Sequence, residues 1–315
     1  MKTAFVFSGQ GSQSIGMGDA LYRNFRAAKD VFDEVDDALD MRLSQLMFDG
    51  DINDLTKTEN AQPAIMAVGM AAFKTLEQEL GMPLTEKAAY MAGHSLGEYT
   101  ALCAAGSLTL RDTAKLLHMR GWAMSWASSI IYGGMVAVLG LSFEQVQALV
   151  KECSLPEAQI FIANDNCPGQ VIVSGDIKAL EILGEKAEQI GARKAVPLNV
   201  MGAFHSPYMK PAADEMQGIL NDITLLSPKV PVISNVTAAP EINPERIRKN
   251  LLQQLTAPVR WRESVEFMLR QDTDTFIECA YGKVMAGLIR RIAEDVAILS
   301  VGDADSIQNA LDLLR

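Results

Sequence analysis

No stretch of the 315-residue sequence approaches the ~20 consecutive apolar residues that a membrane-spanning helix needs, although 49% of the chain is hydrophobic. The first apolar run, Thr3 to Phe7, is also too short for the core of a secretory signal and passes straight into a glycine-rich loop, so a soluble, cytoplasmic protein is expected. Cysteine is sparse. Cys103, Cys153, Cys167 and Cys279 stand far apart without C-x-x-C or Cys/His spacing, which argues against a disulfide framework and against zinc and leaves buried reduced thiols. Positive charge is short as well: 28 Lys and Arg against 39 Asp and Glu give a net −11, which disfavours nucleic acid or an anionic membrane surface as partner. Repeats and low-complexity segments are missing. Phosphate-binding fingerprints are missing too, because Gly9-Gln10-Gly11-Ser12-Gln13 is neither G-x-G-x-x-G nor a loop ending in Gly-Lys-Ser/Thr.

What the chain does have is Gly93-His94-Ser95-Leu96-Gly97, a serine between two glycines directly after the apolar run Ala88 to Ala92. This is the sequence form of a nucleophile elbow, a strand-to-helix turn so tight that only glycine fits beside the serine, whose hydroxyl stands clear of the backbone. The following amide, on Leu96, then points at an oxyanion formed there. Glu98 to Ala105 is rich in helix formers and Gly106 sits where a C-terminal cap belongs, so the strand-turn-helix context is present. The same pentapeptide also arises by chance in loops.

A serine hydroxyl needs a base, and histidine is the usual one at neutral pH. The chain has three. His94 adjoins the serine, where consecutive side chains of a sharp turn diverge, so it reads as a structural member of the elbow. His118 lies on the amphipathic stretch Leu110 to Met124 and reads as a satisfied or solvent-facing histidine. His205 remains, in the loop-like Asn199-Val200-Met201-Gly202-Ala203-Phe204-His205-Ser206-Pro207. A cap for a helix Tyr208 to Leu220 is the competing reading of His205.

The pattern of elements predicts an α/β fold with a parallel sheet: strands at Lys2 to Phe7 and Ala88 to Ala92, and helices at Asp19 to Leu39, Pro63 to Leu80 and Leu110 to Ser128. Between about Gly134 and Val200 the order becomes βαββαβ, with strands at Met135 to Leu141, Ile160 to Asn164, Gln170 to Ser174 and Lys194 to Asn199 and helices at Ser142 to Cys153 and Ile177 to Ile190. That is a ferredoxin-like arrangement, of a length suited to an inserted subdomain. A cleft between it and the main body is the natural substrate site, with Ser95 before the insertion and His205 after it. The tail supplies strands at Pro231 to Asn235 and Thr275 to Glu278 and helices near Asn243 to Gln254, Ser264 to Gln271 and Val284 to Ala293, which complete the parallel sheet.

Phe7-Ser8-Gly9-Gln10-Gly11-Ser12-Gln13, Gln62-Pro63, Gly93 to Glu98, Met119-Arg120-Gly121, Gly202 to Ser206 and Gln254 to Trp261 occur together and in this order. In that combination, over essentially the whole length, the chain resembles the malonyl-CoA:acyl carrier protein transacylases. The resemblance implies an α/β-hydrolase-like body of residues 1–131 and 201–315 carrying a ferredoxin-like subdomain of residues 132–200. It implies Ser95 as nucleophile, His205 as general base, Gln254 as its orienter through the backbone carbonyl, and the amides of Gln10 and Leu96 as the oxyanion hole. Arg120 would hold the malonyl carboxylate, since a guanidinium grips a planar carboxylate with two parallel hydrogen bonds; an ordinary helix-surface cation is the competing reading. Phe204 resembles the bulky residue of malonyl-specific members, and Gln62 falls among the substrate-binding positions. No cofactor and no metal are implied, malonyl-CoA being a substrate. The implied partners are malonyl-CoA and acyl carrier protein, acting on a monomer. A stand-alone acyltransferase of polyketide synthesis or malonate decarboxylation would share these motifs, and a serine thioesterase would share the elbow.

Three departures from the family pattern stand out. Ser8 replaces a common proline, Ser125 a common glutamine, and Ala280 the first glycine of the turn Glu278 to Lys283, where a positive φ would carry strain. Trp122 and Trp126 add bulk on the Arg120 helix. A carrier protein of this kind is acidic, so docking on a chain of −11 calls for a local basic patch, with Arg260, Arg262, Lys283, Arg290 and Arg291, or Lys186, Arg193 and Lys194, as candidates; scattered solvated charges are the alternative.

Overall fold

Thr3–Phe7 (β1) is buried at every position because it runs through the middle of a six-stranded sheet and has helices on both faces. Phe5 and Phe7 feed the larger core, while Ala4 and Val6 face a second one built on Trp261, Phe276 and Ile289. The computed structural model describes residues 2–200 and 202–315. Met1 and Met201, the second of which falls in the His205 loop and begins the expected second body segment, lie outside the described residues.

After β1 come helices Asp19–Asn24 (α1), Arg26–Leu39 (α2), Leu43–Asp49 (α3), Ile52–Thr56 (α4) and Thr58–Leu80 (α5), then strand Ala88–Gly93 (β2) and helices Leu96–Ala104 (α6) and Leu110–Ile130 (α7). A smaller unit follows: Gly134–Leu139 (β3), Phe143–Cys153 (α8), Ile160–Cys167 (β4), Gln170–Gly175 (β5), Ile177–Gln189 (α9) and Lys194–Pro197 (β6). The chain then returns with Lys210–Asp222 (α10), Val232–Ile233 (β7), Pro240–Glu241 (β8), Pro244–Gln254 (α11), Trp261–Arg270 (α12), Thr275–Cys279 (β9), Val284–Ile292 (α13), Ala297–Val301 (β10) and Ala304–Leu314 (α14).

The large sheet has the order β10-β9-β1-β2-β7-β8, parallel throughout except that β8 pairs antiparallel with β7. The small sheet is antiparallel in the order β4-β5-β3-β6. Val136, Val138, Val171 and Val173 face α8 and α9 on one side of it, and Met135, Ala137 and Ile172 on the other join the main core. Strand β4 also leaves its own sheet to grip the body: Asp165 N–H donates to Val259 O and Val259 N–H to Ala163 O, both at 2.9 Å. The Arg262 guanidinium holds the Asp165 carboxylate at 2.7 Å across the same seam.

Four expectations need correction. The single helix Asp19 to Leu39 is broken at Phe25, which is extended (φ −130°, ψ 129°); no glycine or proline marks the break, and the apolar spacing runs straight through it. Helix α5 begins at Thr58, five residues before the proline expected to open it, so Pro63 lies inside. Its missing N–H leaves the Glu59 carbonyl without its helical donor, and His118 Nδ1 donates to that carbonyl at 3.0 Å. The strand expected at Pro231 to Asn235 shrinks to β7, and the one at Lys194 to Asn199 ends at Pro197. Two closing elements, β10 and α14, extend the body beyond the expected last helix.

Candidate active site

Ser95 has φ 54° and ψ −108°, a conformation that costs a non-glycine residue on the order of 1–3 kcal/mol and turns its hydroxyl off the end of β2. Its neighbours allow it. A Cβ on Gly93 would lie 2.6 Å from Glu98 N, and one on Gly97 would lie 2.9 Å from Ser8 O and closer still to Phe7 O. Gly9 serves the same packing, since a Cβ there would press on His94 O at 2.8 Å. The amides of Gln10 and of Leu96, the first residue of α6, donate to no acceptor among the described residues.

Ser95 and Glu98 have the spacing of a helix capping box, yet the Ser95 side chain makes no cap. Its Oγ instead lies 2.9 Å from His205 Nε2 and 3.0 Å from Arg120 Nη2. His205 itself has a positive φ of 56°, and its Nδ1 lies 2.8 Å from the backbone carbonyl of Gln254. A carbonyl only accepts, so Nδ1 carries the proton and Nε2 is left as the acceptor for the serine hydroxyl. The residue that caps the following turn is Ser206, not His205. Burial pushes the His205 imidazole down to about 3, and the Arg120 charge pushes the same way.

Arg120 is 1% exposed, which removes the surface-cation reading. Its Nη1 donates to Gln62 Oε1 at 2.8 Å and its Nη2 to Gln254 Oε1 at 3.0 Å, while its Nε, though buried, finds no acceptor among the described residues. The guanidinium carbon stands 5.4 Å from the Tyr99 ring centroid. Gln62 is fully buried, with Nε2 toward Met124 Sδ at 3.5 Å. Phe204 is 7% exposed and packs into the main core.

Beneath these residues lies a side-chain network that motif reading missed: Asn235 was not singled out, and Gln254 was given a role only through its backbone carbonyl. Asn235 Oδ1 accepts from the Ser95 amide at 2.8 Å, and Asn235 Nδ2 donates to Gly93 O at 2.7 Å, pinning the elbow from the turn after β7. Gln254 Nε2 donates to Ser95 O (3.0 Å), Glu98 Oε2 (2.7 Å) and Asn235 Oδ1 (3.2 Å). Glu98 is 3% exposed, and burial pushes its carboxyl up to about 7. In the sequence it stood only as the last residue of the elbow motif and the first of a run of helix formers, with no role attached. His94 is partly buried and bonds Asn166 Oδ1 at 2.8 Å, so it ties the elbow to β4 as a structural histidine.

The departures fall outside this centre. Ser8 Oγ donates to Glu278 Oε1 at 2.8 Å, and that buried carboxylate also accepts the Met285 and Ala286 amides and Ser300 Oγ. Ala280 is not among the positive-φ residues; Gly282 takes that conformation (φ 88°), so the expected strain is absent. Ser125 Oγ reaches Glu59 Oε2 at 3.2 Å, and Trp122 and Trp126 stack on each other, half exposed. The candidate patches thin out: Arg260 pairs with Glu263, Arg262 with Asp165 and Glu266, and Lys186 with Glu152.

Comparison with known proteins agrees with this geometry. Residues 4–306 match the acyl transferase domain family. The malonyl CoA-acyl carrier protein transacylase of Bacillus subtilis (strain 168) is 40% identical over 314 residues, covering 100% of this chain and 98% of that protein. Among solved structures, an acyl-carrier-protein-S-malonyltransferase from Bartonella henselae superposes with a TM-score of 0.96 at 48% identity, covering 100% of this chain and 99% of its own. A malonyl-transacylase in complex with a type II polyketide acyl-carrier protein superposes at 0.94 with 36% identity, covering 99% of this chain and all of its own. With an elbow serine, a neutral histidine and a buried arginine meeting at one oxygen, and with relatives alike from end to end, the chain belongs to the acyl transferase domain family.

Proposed function

We propose that this protein moves a malonyl group from malonyl-CoA to the phosphopantetheine thiol of an acyl carrier protein through an ester on Ser95, supplying fatty-acid synthesis. One observation carries the reading: His205 Nε2 and Arg120 Nη2 approach Ser95 Oγ at 2.9 and 3.0 Å, so a base and a carboxylate-binding cation converge on one nucleophile.

Ser95 passes its proton to His205 Nε2 as Oγ bonds to the thioester carbonyl carbon. The amides of Gln10 and Leu96 hold the resulting oxyanion. Collapse breaks the C–S bond, and coenzyme A leaves with the proton from His205. The carrier thiol then gives its proton to His205, attacks the malonyl ester and releases Ser95, which recovers that proton; kinetics are therefore ping-pong. Gln254 O keeps His205 Nδ1 protonated throughout. Arg120, steadied by Gln62, binds the malonyl carboxylate, for which its buried Nε is a donor without a protein acceptor. Phe204 crowds branched acyl groups. Every bond and proton in these steps is supplied by the chain and two thiols, without a cofactor.

The same reading divides the chain into an α/β-hydrolase-like body, 1–131 and 201–315, and a ferredoxin-like subdomain, 132–200. The parallel sheet with its elbow after β2 supports the first, and the order β4-β5-β3-β6 supports the second. Among the described residues no helix is long and apolar enough to cross a membrane. We read the protein as a cytoplasmic monomer whose partner is an acidic carrier. Lys283, Arg290, Arg291, Arg193 and Lys194 are the candidate cations for docking it that form no ion pair among the described residues, Arg291 bonding only the neutral Gln170 side chain and Pro168 carbonyl. The likeness to the polyketide transacylase keeps a polyketide carrier as the second reading.

Intact-mass measurement after mixing with malonyl-CoA tests the proposal. A malonyl adduct that persists until a thiol is added, and is lost in Ser95→Ala, is expected; rapid hydrolysis without a thiol indicates a thioesterase, and an adduct surviving in Ser95→Ala overturns the assignment.

A further inference from the structure

We propose that Glu98 is a positioning residue for Arg120, acting through the side-chain amide of Gln254, and that it thereby sets the preference for acyl groups bearing a free carboxylate. The inference rests on the malonyl reading of Ser95, His205 and Arg120.

The geometry is a relay. At one end is the buried Glu98 carboxylate, whose Oε2 accepts from Gln254 Nε2 at 2.7 Å and from the Asn235 amide at 3.1 Å. At the other end the Gln254 Oε1 accepts from Arg120 Nη2 at 3.0 Å. Three acceptors converge on Gln254 Nε2, namely Ser95 O, Glu98 Oε2 and Asn235 Oδ1, and only Glu98 is charged. With an anion on its N–H side and a cation on its carbonyl side, the amide is fixed in one orientation and polarised along the line between them. Arg120 forms no salt bridge with any carboxylate among the described residues; the Tyr99 phenol acts on it most strongly, and Glu98 is the carboxylate whose charge also reaches it. Removing that anion leaves a buried guanidinium held by neutral groups alone.

A pH signature follows. The groups around this relay are Arg120 on α7, Tyr99 on α6, His94 in the elbow and His205 in its loop. Burial lowers both histidines and raises Tyr99 to about 12, so neither end of the relay has another group titrating near neutrality. Glu98 is pushed up to about 7. Above that pH it is an anion and the relay is charged; as pH falls through it the carboxyl gains a proton and Arg120 loses its distant counter-charge. A malonyl carboxylate stays ionised through this range.

The test is competition between malonyl-CoA and acetyl-CoA for Ser95, quenched early and read as the ratio of the two acyl-enzymes by intact mass, from about pH 8 to about pH 5.5. In the wild type the malonyl/acetyl ratio falls as pH drops through about 7. In Glu98→Gln the ratio is lowered about tenfold at high pH, the size of one hydrogen bond to a charged group, through a raised KM for malonyl-CoA, and is flat with pH. Gln254→Met keeps the backbone carbonyl for His205 but cuts the relay, so it gives the same flat ratio, and adding Glu98→Gln to it changes nothing further. A Glu98→Gln ratio equal to wild type, or one that keeps its pH dependence, overturns the inference. Should Glu98→Gln fail to fold, a pH-dependent ratio in Gln254→Met overturns it instead. If the wild type forms no malonyl adduct at all, the functional reading fails first; an adduct with an unmoved ratio sinks only the relay.

Discussion

Replacing Gly97 by Ala places one methyl group where the fold has no room for it. The added Cβ would sit 2.9 Å from Ser8 O and nearer still to Phe7 O, and both obstacles are main chain. Phe7 ends β1, which is paired on both sides with β2 and β9, so the strand cannot retreat. Overpacking of this kind costs about 1–3 kcal/mol, and a rigid obstacle puts it at the upper end. Unfolding entropy of about 2.1 cal/mol/K per residue gives a 315-residue chain roughly 0.66 kcal/mol/K, so Tm should drop by about 3–5 °C. Relief requires the elbow to lift by about 1 Å, which carries the Ser95 hydroxyl away from His205 and lowers kcat about a hundredfold. Gly218, inside α10, is the control: a Cβ there meets nothing within 4 Å, so Gly218→Ala should raise Tm by about 1 °C, from a gain of about 0.5–1 kcal/mol in helix propensity, and leave kcat alone. Scanning calorimetry and steady-state malonyl transfer measure both. A Gly97→Ala protein with wild-type Tm and kcat would refute the account of the elbow as sterically locked.

Four further outcomes follow from the site and its surroundings. Arg120→Ala should lower kcat/KM for malonyl-CoA by about 10²–10³, the loss of a bidentate charged pair, while acetyl transfer survives; an unchanged malonyl/acetyl selectivity in steady-state assays contradicts the carboxylate role. Because His205 is held down to about 3, its ring stays neutral well below the ordinary histidine range, so acetylation of Ser95 should show no acid limb between about pH 7 and pH 5; a limb near 6.5 in rapid-quench data contradicts the depressed value. In stability the same lowered group works against the fold in acid, since below about 6.5 the unfolded chain takes up a proton that the folded one refuses, whereas Glu98, raised to about 7, favours the fold most below the ordinary carboxylate range and loses that contribution as pH rises from there through 7. Ser8→Ala should cost about 1–2 kcal/mol in denaturant unfolding by leaving one oxygen of Glu278 short of a donor, with kinetics untouched.

How much of this was legible in the sequence depends on how local the signal is. The elbow could be read because glycine, serine and glycine within five residues encode a turn by steric exclusion. His205 could be chosen because the other two histidines sit where the local geometry denies them the serine, and the structure gives both of those other duties. The break at Phe25 was not legible, since nothing in composition or spacing interrupts there. Arg120 looks like any helix cation until tertiary packing buries it. The Glu98, Gln254 and Asn235 layer joins positions more than a hundred residues apart, apart from the 19 between the last two, and no pattern along the chain announces it. The candidate basic patches thin out for the same reason: charges that look free in one dimension meet carboxylates in three, as Arg262 does with Asp165.

That Arg262–Asp165 seam also bears on how the enzyme is entered. Beside it the Val259 backbone exchanges two hydrogen bonds with β4, and the next residues along the strand reach the elbow through Asn166 and His94. The smaller unit is thus tied to the body by paired backbone bonds and an ion pair at the strand nearest the nucleophile, a seam rather than a loose linker. The wall of the aperture beside Ser95 is built on this seam, so its dimensions and charge enter the discrimination among acyl groups. Both thiols in turn must then pass a mouth bounded on one side by that same seam.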